Sequence, residues 1–406
     1  MLKKWNSMSL IVRICIGLVI GTVLGLTLPG QTWIGIPGTL FVGALKAIAP
    51  LLVFVLVSYS LANARGNNMS KFRTVIILYM VSTLCAAIVA VLVNFAHPVT
   101  ISLKGLDAAE GYSAPGSMSE IIINLLMSII ANPVDALANA NYIGILFWAV
   151  VFGIALKQAG EGTKKAMGDL ADGVSKVVRW VISFAPLGIL GLVFSAVSTS
   201  GLEIFTTYGE LVLILVVSML LSALVVNPFI VGITLRHNPY PLILKCIRQS
   251  GVTAFFTRSS AANIPVNMEL CKELGLDEDV YSVSIPLGST INMDGAAAVI
   301  TTFALTAANT VGVQVTLPMA ILLSIVATFS ACGTSGVAGG SLLLVPLACS
   351  MFGIGNDIAM QVVGVGFIVS VIQDSLETAL NSSSDVIFTA TAEFLEWKKQ
   401  GKQLPL

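Results

Sequence analysis

Apolar residues run in long blocks along this chain, near 10–29, 38–63, 74–97, 119–158, 174–200, 207–235, 279–306 and 355–390. Each block can hold a helix of about 20 residues, the length that crosses a bilayer's hydrocarbon core. Two further regions, 239–272 and 318–350, break the pattern: they are rich in Ser, Gly and Ala and are interrupted by Pro. Irregular backbone survives at membrane depth only where protein or water satisfies its polar groups. Both regions therefore read as re-entrant helical hairpins, with tips "TRSSAANIPVN" (257–267) and "ACGTSGVAGGS" (331–341). The bland alternative is a pair of kinked helices or interfacial loops. Each hairpin is followed by one charge-bearing span, and the unit occurs twice in opposite orientation. Inverted repeats with broken helices place a binding site at the bilayer midplane. The expected fold is an all-α membrane protein with eight transmembrane helices plus two re-entrant helical hairpins.

Composition agrees. Of 406 residues 56% are hydrophobic and only 10% charged, with a mean hydropathy of +0.93; a soluble domain carries about 25% charged residues. Lys+Arg and Asp+Glu balance at 21 each, which argues against a nucleic-acid partner. Cys15, Cys85, Cys246, Cys271, Cys332 and Cys349 are scattered singly, and there are two histidines, so neither a disulfide framework nor a Cys/His metal site is expected. The first apolar block is too long for a signal-peptide core and lacks a clean cleavage site, so it reads as a mature span. Eight spans put both termini on one side, together with Lys3, Lys4, Arg13, Arg65, Lys71, Arg73, Lys157, Lys164, Lys165, Lys176, Arg179, Arg236, Lys245, Arg248, Lys398, Lys399 and Lys402. The opposite loops carry little more than Lys104, with Asp107 and Glu110. That bias makes the first side the cytoplasm.

The last block contains "DSLETALNSSSD" (374–385) and no Lys or Arg until Lys398. A charged side chain at mid-bilayer costs ~3 kcal/mol on insertion scales, so three carboxylates facing lipid would cost roughly 9 kcal/mol. At 100° per residue Asp374, Thr378, Asn381 and Asp385 share one stripe of a helix, with Glu377 at its edge. Such a stripe offers oxygen ligands to an ammonium group or a hard cation such as sodium; the competing reading is a structural polar seam. The preceding block supplies "GSTINMDGAA" (288–297). A regular helix would point Asn292 and Asp294 about 200° apart, so local unwinding between Gly288 and Gly295 is expected. A third polar point, Tyr79, Ser82 and Thr83, interrupts an otherwise apolar span; hydroxyls there are more often satisfied by a carbonyl one turn back.

"INMDG", "TRSSAANIPVNM", "CGTSGVAGG" and the terminal D-x-x-x-T-x-x-N-x-x-x-D pattern together resemble the dicarboxylate/amino acid:cation symporter family of sodium-coupled glutamate, aspartate and neutral amino-acid transporters. "NPVDALANANYIGILFWAVVFGIAL" (132–156) is similar to the family's fourth-span signature, so the resemblance covers nearly the whole chain. It implies the glutamate-transporter-homologue fold and a homotrimer in the bacterial inner membrane. It also implies a scaffold, mainly 1–70, 119–158 and 174–200, and an elevator-like transport domain, mainly 71–97 and 207–406, with 207–236 at the boundary. By resemblance Asp374 binds the substrate ammonium, Thr378 and Asn381 lie near its carboxylate, and backbone around Ser259, Ser260, Val337 and Gly339 closes from the hairpins. One sodium site resembles carbonyls of Gly288, Asn292 and Asn381 with the Asp385 carboxylate. A second resembles Tyr79, Ser82, Thr83, Asn292 and Asp294. A third resembles carbonyls of Thr290 and of the outer hairpin near Ala331 and Thr334, with Met293 close by.

Two departures from the family pattern bear on the substrate. Ala296 replaces the threonine usual after "NMDG", and Glu377 stands where acidic-substrate members hold an arginine. A carboxylate ~4 Å from a substrate carboxylate is repelled by about 4 kcal/mol at an effective dielectric of 20, which selects against aspartate and glutamate. The resemblance is closest to the branch that moves serine and threonine with sodium. Glu377 is the expected ion-pair partner of Arg258 at the inner hairpin tip, with Asp374 as the competing partner and a protonated, packed Glu377 as a further alternative. The rivals are a dicarboxylate carrier using Arg258, a channel, and an intramembrane aspartyl protease built on Asp294 and Asp374, whose GxGD and PAL motifs are absent.

Overall fold

The computed structural model describes residues 10–63, 69–103, 130–332, 334 and 339–402, together with 8, 127 and 404. No strand occurs among the described residues. The chain opens with α1 (Leu10–Thr27), α2 (Ile36–Asn63) and α3 (Met69–Ala96). Within the fourth apolar block, part of which lies outside the described residues, asparagines punctuate the backbone. Asn132 caps a short helix, Pro133–Ala138, by accepting from the amides of Val134 and Asp135. Asn141 accepts from Gly144 N–H to start α4 (Tyr142–Ala155). Next come α5 (Glu161–Ser183) and α6 (Ala185–Ser200), bent by 50° at Phe184. Pro186 explains the bend, because proline cannot donate to the preceding turn. The span expected at 174–200 is thus broken, its first half belonging to the amphipathic α5.

Helix α7 (Glu203–Leu221) runs through a wide π turn, Ser222–Val226, into α8 (Asn227–Leu235). The wide turn falls just ahead of Pro228, which lacks the N–H that a regular turn needs. The region expected as the first hairpin folds back on itself. Its first arm runs from α9 (Tyr240–Cys246) through a second π turn, Ile247–Gly251, into α10 (Val252–Thr257), and α11 (Ser260–Glu273) returns. Arg258 makes the reversal with φ 52° and ψ 35°, a left-handed conformation that a side chain adopts rarely. Ser259 is extended and caps α11. Beyond α12 (Glu278–Ile291) and α13 (Asp294–Thr310), the second irregular region holds α14 (Leu317–Ala331) and α15 (Val345–Ser350). The last helix, α16 (Asn356–Lys399), has 44 residues. At 1.5 Å per residue it is about 66 Å long, so it continues well beyond the bilayer thickness that its apolar part requires.

Among the described residues five helical stretches are long and apolar enough to span a membrane, and the bent α5–α6 pair makes up to six. Helices α1, α4 and α14 are apolar but shorter. Helices α1 and α2 pack against α6 through small residues. Gly17, Gly21 and Gly25 recur every fourth position on α1, and a Cβ on Gly21 would lie 2.5 Å from the carbonyl oxygen of Leu190. Close backbone approach of this kind is how helices associate where water gives no hydrophobic drive.

Candidate functional site

Asp374 sits on the buried face of α16, between both hairpin regions. Its Oδ2 accepts from Arg258 Nε at 2.6 Å, and its Oδ1 accepts from the backbone N–H of Gly339 at 3.0 Å. The expected Arg258–Glu377 pair is therefore corrected: the guanidinium takes the competing partner. Both acids lie three residues apart on one helix face, and the left-handed turn at Arg258 carries its side chain to the nearer one. Glu377 instead accepts from Ser341 Oγ at 2.7 Å and from Gln373 Nε2. Thr378 Oγ1 donates to the Asp374 carbonyl at 2.7 Å. Asn381 Oδ1 accepts from Gly295 N–H at 2.7 Å, which leaves its Nδ2 as the donor end of the amide.

A cavity of about 20 Å³ is bounded by Arg258, Ser259, Ser260, Met293, Thr334, Asp374, Glu377, Thr378 and Asn381. These are residues that the sequence pattern and the resemblance singled out, drawn from α11, the α12–α13 break, the second hairpin region and α16. The volume holds a water or two, so an amino acid enters only if the guanidinium or a hairpin tip moves. Gly339 reaches Asp374 from outside this lining. Val337 lies outside the described residues.

A second cluster lies beside the first. Helix α12 stops at Asn292 (φ −95°, ψ 86°) and α13 starts after Met293 (φ −125°, ψ 52°). This break turns Asn292 and Asp294 toward the same hydroxyl: Ser82 Oγ is 3.3 Å from Asn292 Oδ1 and 2.9 Å from Asp294 Oδ1. Thr83 Oγ1 donates to Asp294 Oδ1 at 3.1 Å and accepts from Met293 N–H at 3.3 Å. The expected unwinding occurs, but not through glycine freedom. Neither Gly288 nor Gly295 has positive φ; they permit close approach. A Cβ on Gly288 would lie 2.6 Å from Asp385 Oδ1, and one on Gly295 would lie 2.7 Å from the Glu377 backbone.

Asp385 Oδ1 accepts from Asn292 Nδ2 at 2.9 Å, while its Oδ2 has no donor among the described residues. The Tyr79 hydroxyl lies 3.1 Å from the Asp385 carbonyl oxygen and 2.8 Å from Thr389 Oγ1. Thr290 Oγ1 donates to Leu287 O and Thr334 Oγ1 to Ala331 O, so the third candidate set has its hydroxyls on local carbonyls, and only Met293 and Thr334 share the cavity. Asp294 and Asp385 are fully buried, and their described partners are neutral donors. A buried charge needs a counter-charge, and an array of carboxylate, amide and hydroxyl oxygens is what a hard cation binds. Among the described residues Asp294 and Asp374 share no hydrogen-bond partner, whereas a proton-sharing dyad brings two carboxylates together.

Some buried polar residues escaped the reading of the sequence. Asn263 and Asn267, one turn apart on α11, both donate to Ser382 Oγ, at 2.8 and 3.0 Å, and Asn263 also donates to Ser250 Oγ at 3.1 Å. Their i, i+4 spacing was the available signal. Gln373, Ser341 and Ser384 escaped because each is one polar residue among many near the tips and the stripe. Asn227, which donates from Nδ2 to Asp294 Oδ2 at 3.3 Å, is the only amide in the block 207–235.

Comparison with known proteins follows the same line. The sequence model of the sodium:dicarboxylate symporter family matches residues 10–394. The chain is 60% identical over 402 residues to the serine/threonine transporter SstT of Bifidobacterium adolescentis, covering 99% of this chain and 93% of that protein. It is 57% identical over 392 residues to the serine/threonine transporter SstT of Streptococcus agalactiae, covering 97% of each. With that of Streptococcus thermophilus it shares 54% identity over 398 residues, covering 98% and 99%.

Proposed function

The chain belongs to the sodium:dicarboxylate symporter family, and we propose that it is a multi-pass membrane transporter that carries serine and threonine inward with sodium. It is a carrier rather than an enzyme. The observation that supports this reading best is the contrast between the two acids of α16. Asp374 holds a cation, the guanidinium of Arg258, in the place where the substrate's ammonium would bind. Glu377 is held by neutral donors from Ser341 and Gln373 where a dicarboxylate carrier needs positive charge. A dicarboxylate without an ammonium group has nothing to displace Arg258 from Asp374, so that guanidinium stays engaged and is not offered to such a substrate.

Binding then follows from the geometry. The substrate ammonium replaces the guanidinium on Asp374, a charge-assisted exchange in a water-poor site. Asn381 Nδ2 and the N-terminal amides of α11 at Ser260 receive the α-carboxylate. The side-chain hydroxyl donates to Glu377, and a site built for a hydroxyl discriminates against analogues that lack it. Sodium ions occupy the oxygen clusters around Asp385 and Asp294. The wider assembly is part of the proposal: eight spans, two re-entrant hairpins, a homotrimer in a bacterial inner membrane with cytoplasmic termini, and a transport domain that slides past a scaffold.

The test is uptake of labelled serine into proteoliposomes under an inward sodium gradient, followed by counterflow against internal unlabelled serine. Sodium-dependent accumulation and counterflow are expected, with threonine competing and aspartate not. Asp374→Asn should abolish both. Serine movement without counterflow, or competition by aspartate, would overturn the assignment.

A further inference from the structure

Asn227 is a buried amide, 1% exposed, with only one half of its hydrogen-bonding capacity engaged. Its Nδ2 lies 3.3 Å from Asp294 Oδ2. Its Oδ1 has no donor among the described residues. It stands at the first position of α8, directly after the π turn Ser222–Val226. Wide turns of this kind are frequent at functional sites because they re-aim the residue that follows. Here the re-aimed residue reaches the acid around which Ser82, Thr83 and Asn292 converge.

The other side of Asp294 is already full of oxygen. Ser82 Oγ and Thr83 Oγ1 approach its Oδ1 at 2.9 and 3.1 Å, and Ser82 Oγ is 3.3 Å from Asn292 Oδ1. Hard cations hold oxygens at about 2.3–2.6 Å, so neighbouring ligands at right angles around one ion lie roughly 3.3–3.7 Å apart. The 3.3 Å separation between Asn227 and Asp294 Oδ2 falls at that spacing. A half-turn of the amide about its last torsion exchanges Oδ1 and Nδ2 with almost no change of shape. It would put two oxygens 3.3 Å apart, an arrangement that repels unless a cation bridges them.

We propose that Asn227 is an additional oxygen ligand of the cation held at Asp294. Without an ion the amide donates Nδ2–H to the carboxylate and keeps it oriented. With the ion it turns Oδ1 inward and completes the shell from the side of α8. The cation then ties α8, at the boundary of the two expected domains, to α3 and to the α12–α13 break. This assignment rests on sodium coupling as proposed above and adds a ligand from a helix that contributed none.

The test uses the purified full-length protein and sodium chloride as the probe, with choline chloride holding ionic strength constant. Thermal-unfolding midpoints are read against sodium concentration for the parent, Asn227→Leu and Asn227→Asp, alongside sodium titrations of serine uptake. Loss of a group in a metal's shell lowers affinity about 10- to 100-fold, so Asn227→Leu should shift the sodium midpoint by at least that lower bound in both readouts. Asn227→Asp keeps an oxygen toward the ion and should bind sodium better than Asn227→Leu. If the amide serves only as a donor to Asp294, the order reverses, because a second carboxylate repels the first. An unchanged midpoint in Asn227→Leu, the reversed order, or unfolding of both variants in sodium-free buffer would each overturn the assignment. The functional reading fails separately, if the parent shows no sodium-dependent serine uptake; the stability titration still decides the role of Asn227.

Discussion

The guanidinium of Arg258 and a substrate ammonium compete for one carboxylate, with Nε 2.6 Å from Asp374 Oδ2. Replacing Arg258 by alanine leaves Asp374 without its counter-charge in the substrate-free protein, a state that burial penalises. Serine then binds without displacing anything. If 1–2 kcal/mol of the pair is recovered on binding, apparent serine affinity in Arg258→Ala should rise about five- to thirtyfold. Titration of serine against the purified variant at saturating sodium checks this; weaker binding would mean that Arg258 contacts the bound substrate. Asp385 poses the complementary case. Its Oδ1 is held by Asn292 and its Oδ2 has no donor among the described residues, so Asp385→Asn preserves shape and removes only charge. Loss of one charge of a buried pair costs ~3–5 kcal/mol, so the sodium concentration for half-maximal uptake should rise more than about a hundredfold. Serine affinity extrapolated to saturating sodium should hold. A sodium midpoint like the parent's would refute the Asp385 ion site.

At the scale of elements, the acidic stripe of α16 was legible because a helix repeats every 3.6 residues and only one face can collect Asp374, Thr378, Asn381 and Asp385. The break between α12 and α13 was legible too, since Asn292 and Asp294 cannot share a target on a regular helix. What the sequence left open was which acid Arg258 reaches, because Asp374 and Glu377 lie on one face and only the turn at Arg258 chooses between them. The bend at Phe184 was hidden because Pro186 lies inside an apolar block, where length and hydropathy dominate the reading. The same blindness hid the Gly17–Gly21–Gly25 stripe, which carries no polarity at all. Its role is testable. A side chain at Gly21 meets the Leu190 carbonyl at 2.5 Å, and overpacking of this kind costs ~1–3 kcal/mol. Gly21→Val should lower the thermal midpoint of the detergent-purified protein, and Gly21→Ala should lower it less. The substrate ranking should not change, since Gly21 faces Leu190 of α6 and no site residue. An unchanged midpoint in Gly21→Val would show that α1 and α6 separate in the membrane.

At the scale of the molecule, the decisive surface is the seam between α2 and α6 on one side and α16 on the other. It is loosely built. Phe41 and Phe367 meet edge to face at 5.2 Å, and Gly364 lies against Val42 and Leu192. A cavity of about 350 Å³, lined by Gly35, Thr39, Leu192, Ser195, Gly364 and Ile368 among others, interrupts the contact. The cavity opens to the outside, so along it the two faces are not interlocked as in a close-packed core, which the sliding proposed above requires. Lys46 of α2 pairs with Asp357 in the first turn of α16. Both side chains are substantially exposed, 42% and 87%, so the pair contributes ~0–1 kcal/mol and cannot lock the seam. It does mark two positions that are neighbours in this arrangement. If α16 and its cargo slide as a unit, joining those positions stops the cycle but leaves the binding site intact. Lys46→Cys with Asp357→Cys, bridged by a short bis-maleimide, should therefore lose sodium-driven serine uptake. Serine binding to the same cross-linked protein in detergent should persist, and each single-cysteine variant treated in the same way should transport normally. Full transport by the cross-linked pair would rule out sliding along this seam, and loss of binding with transport would place the cross-link's effect at the site instead.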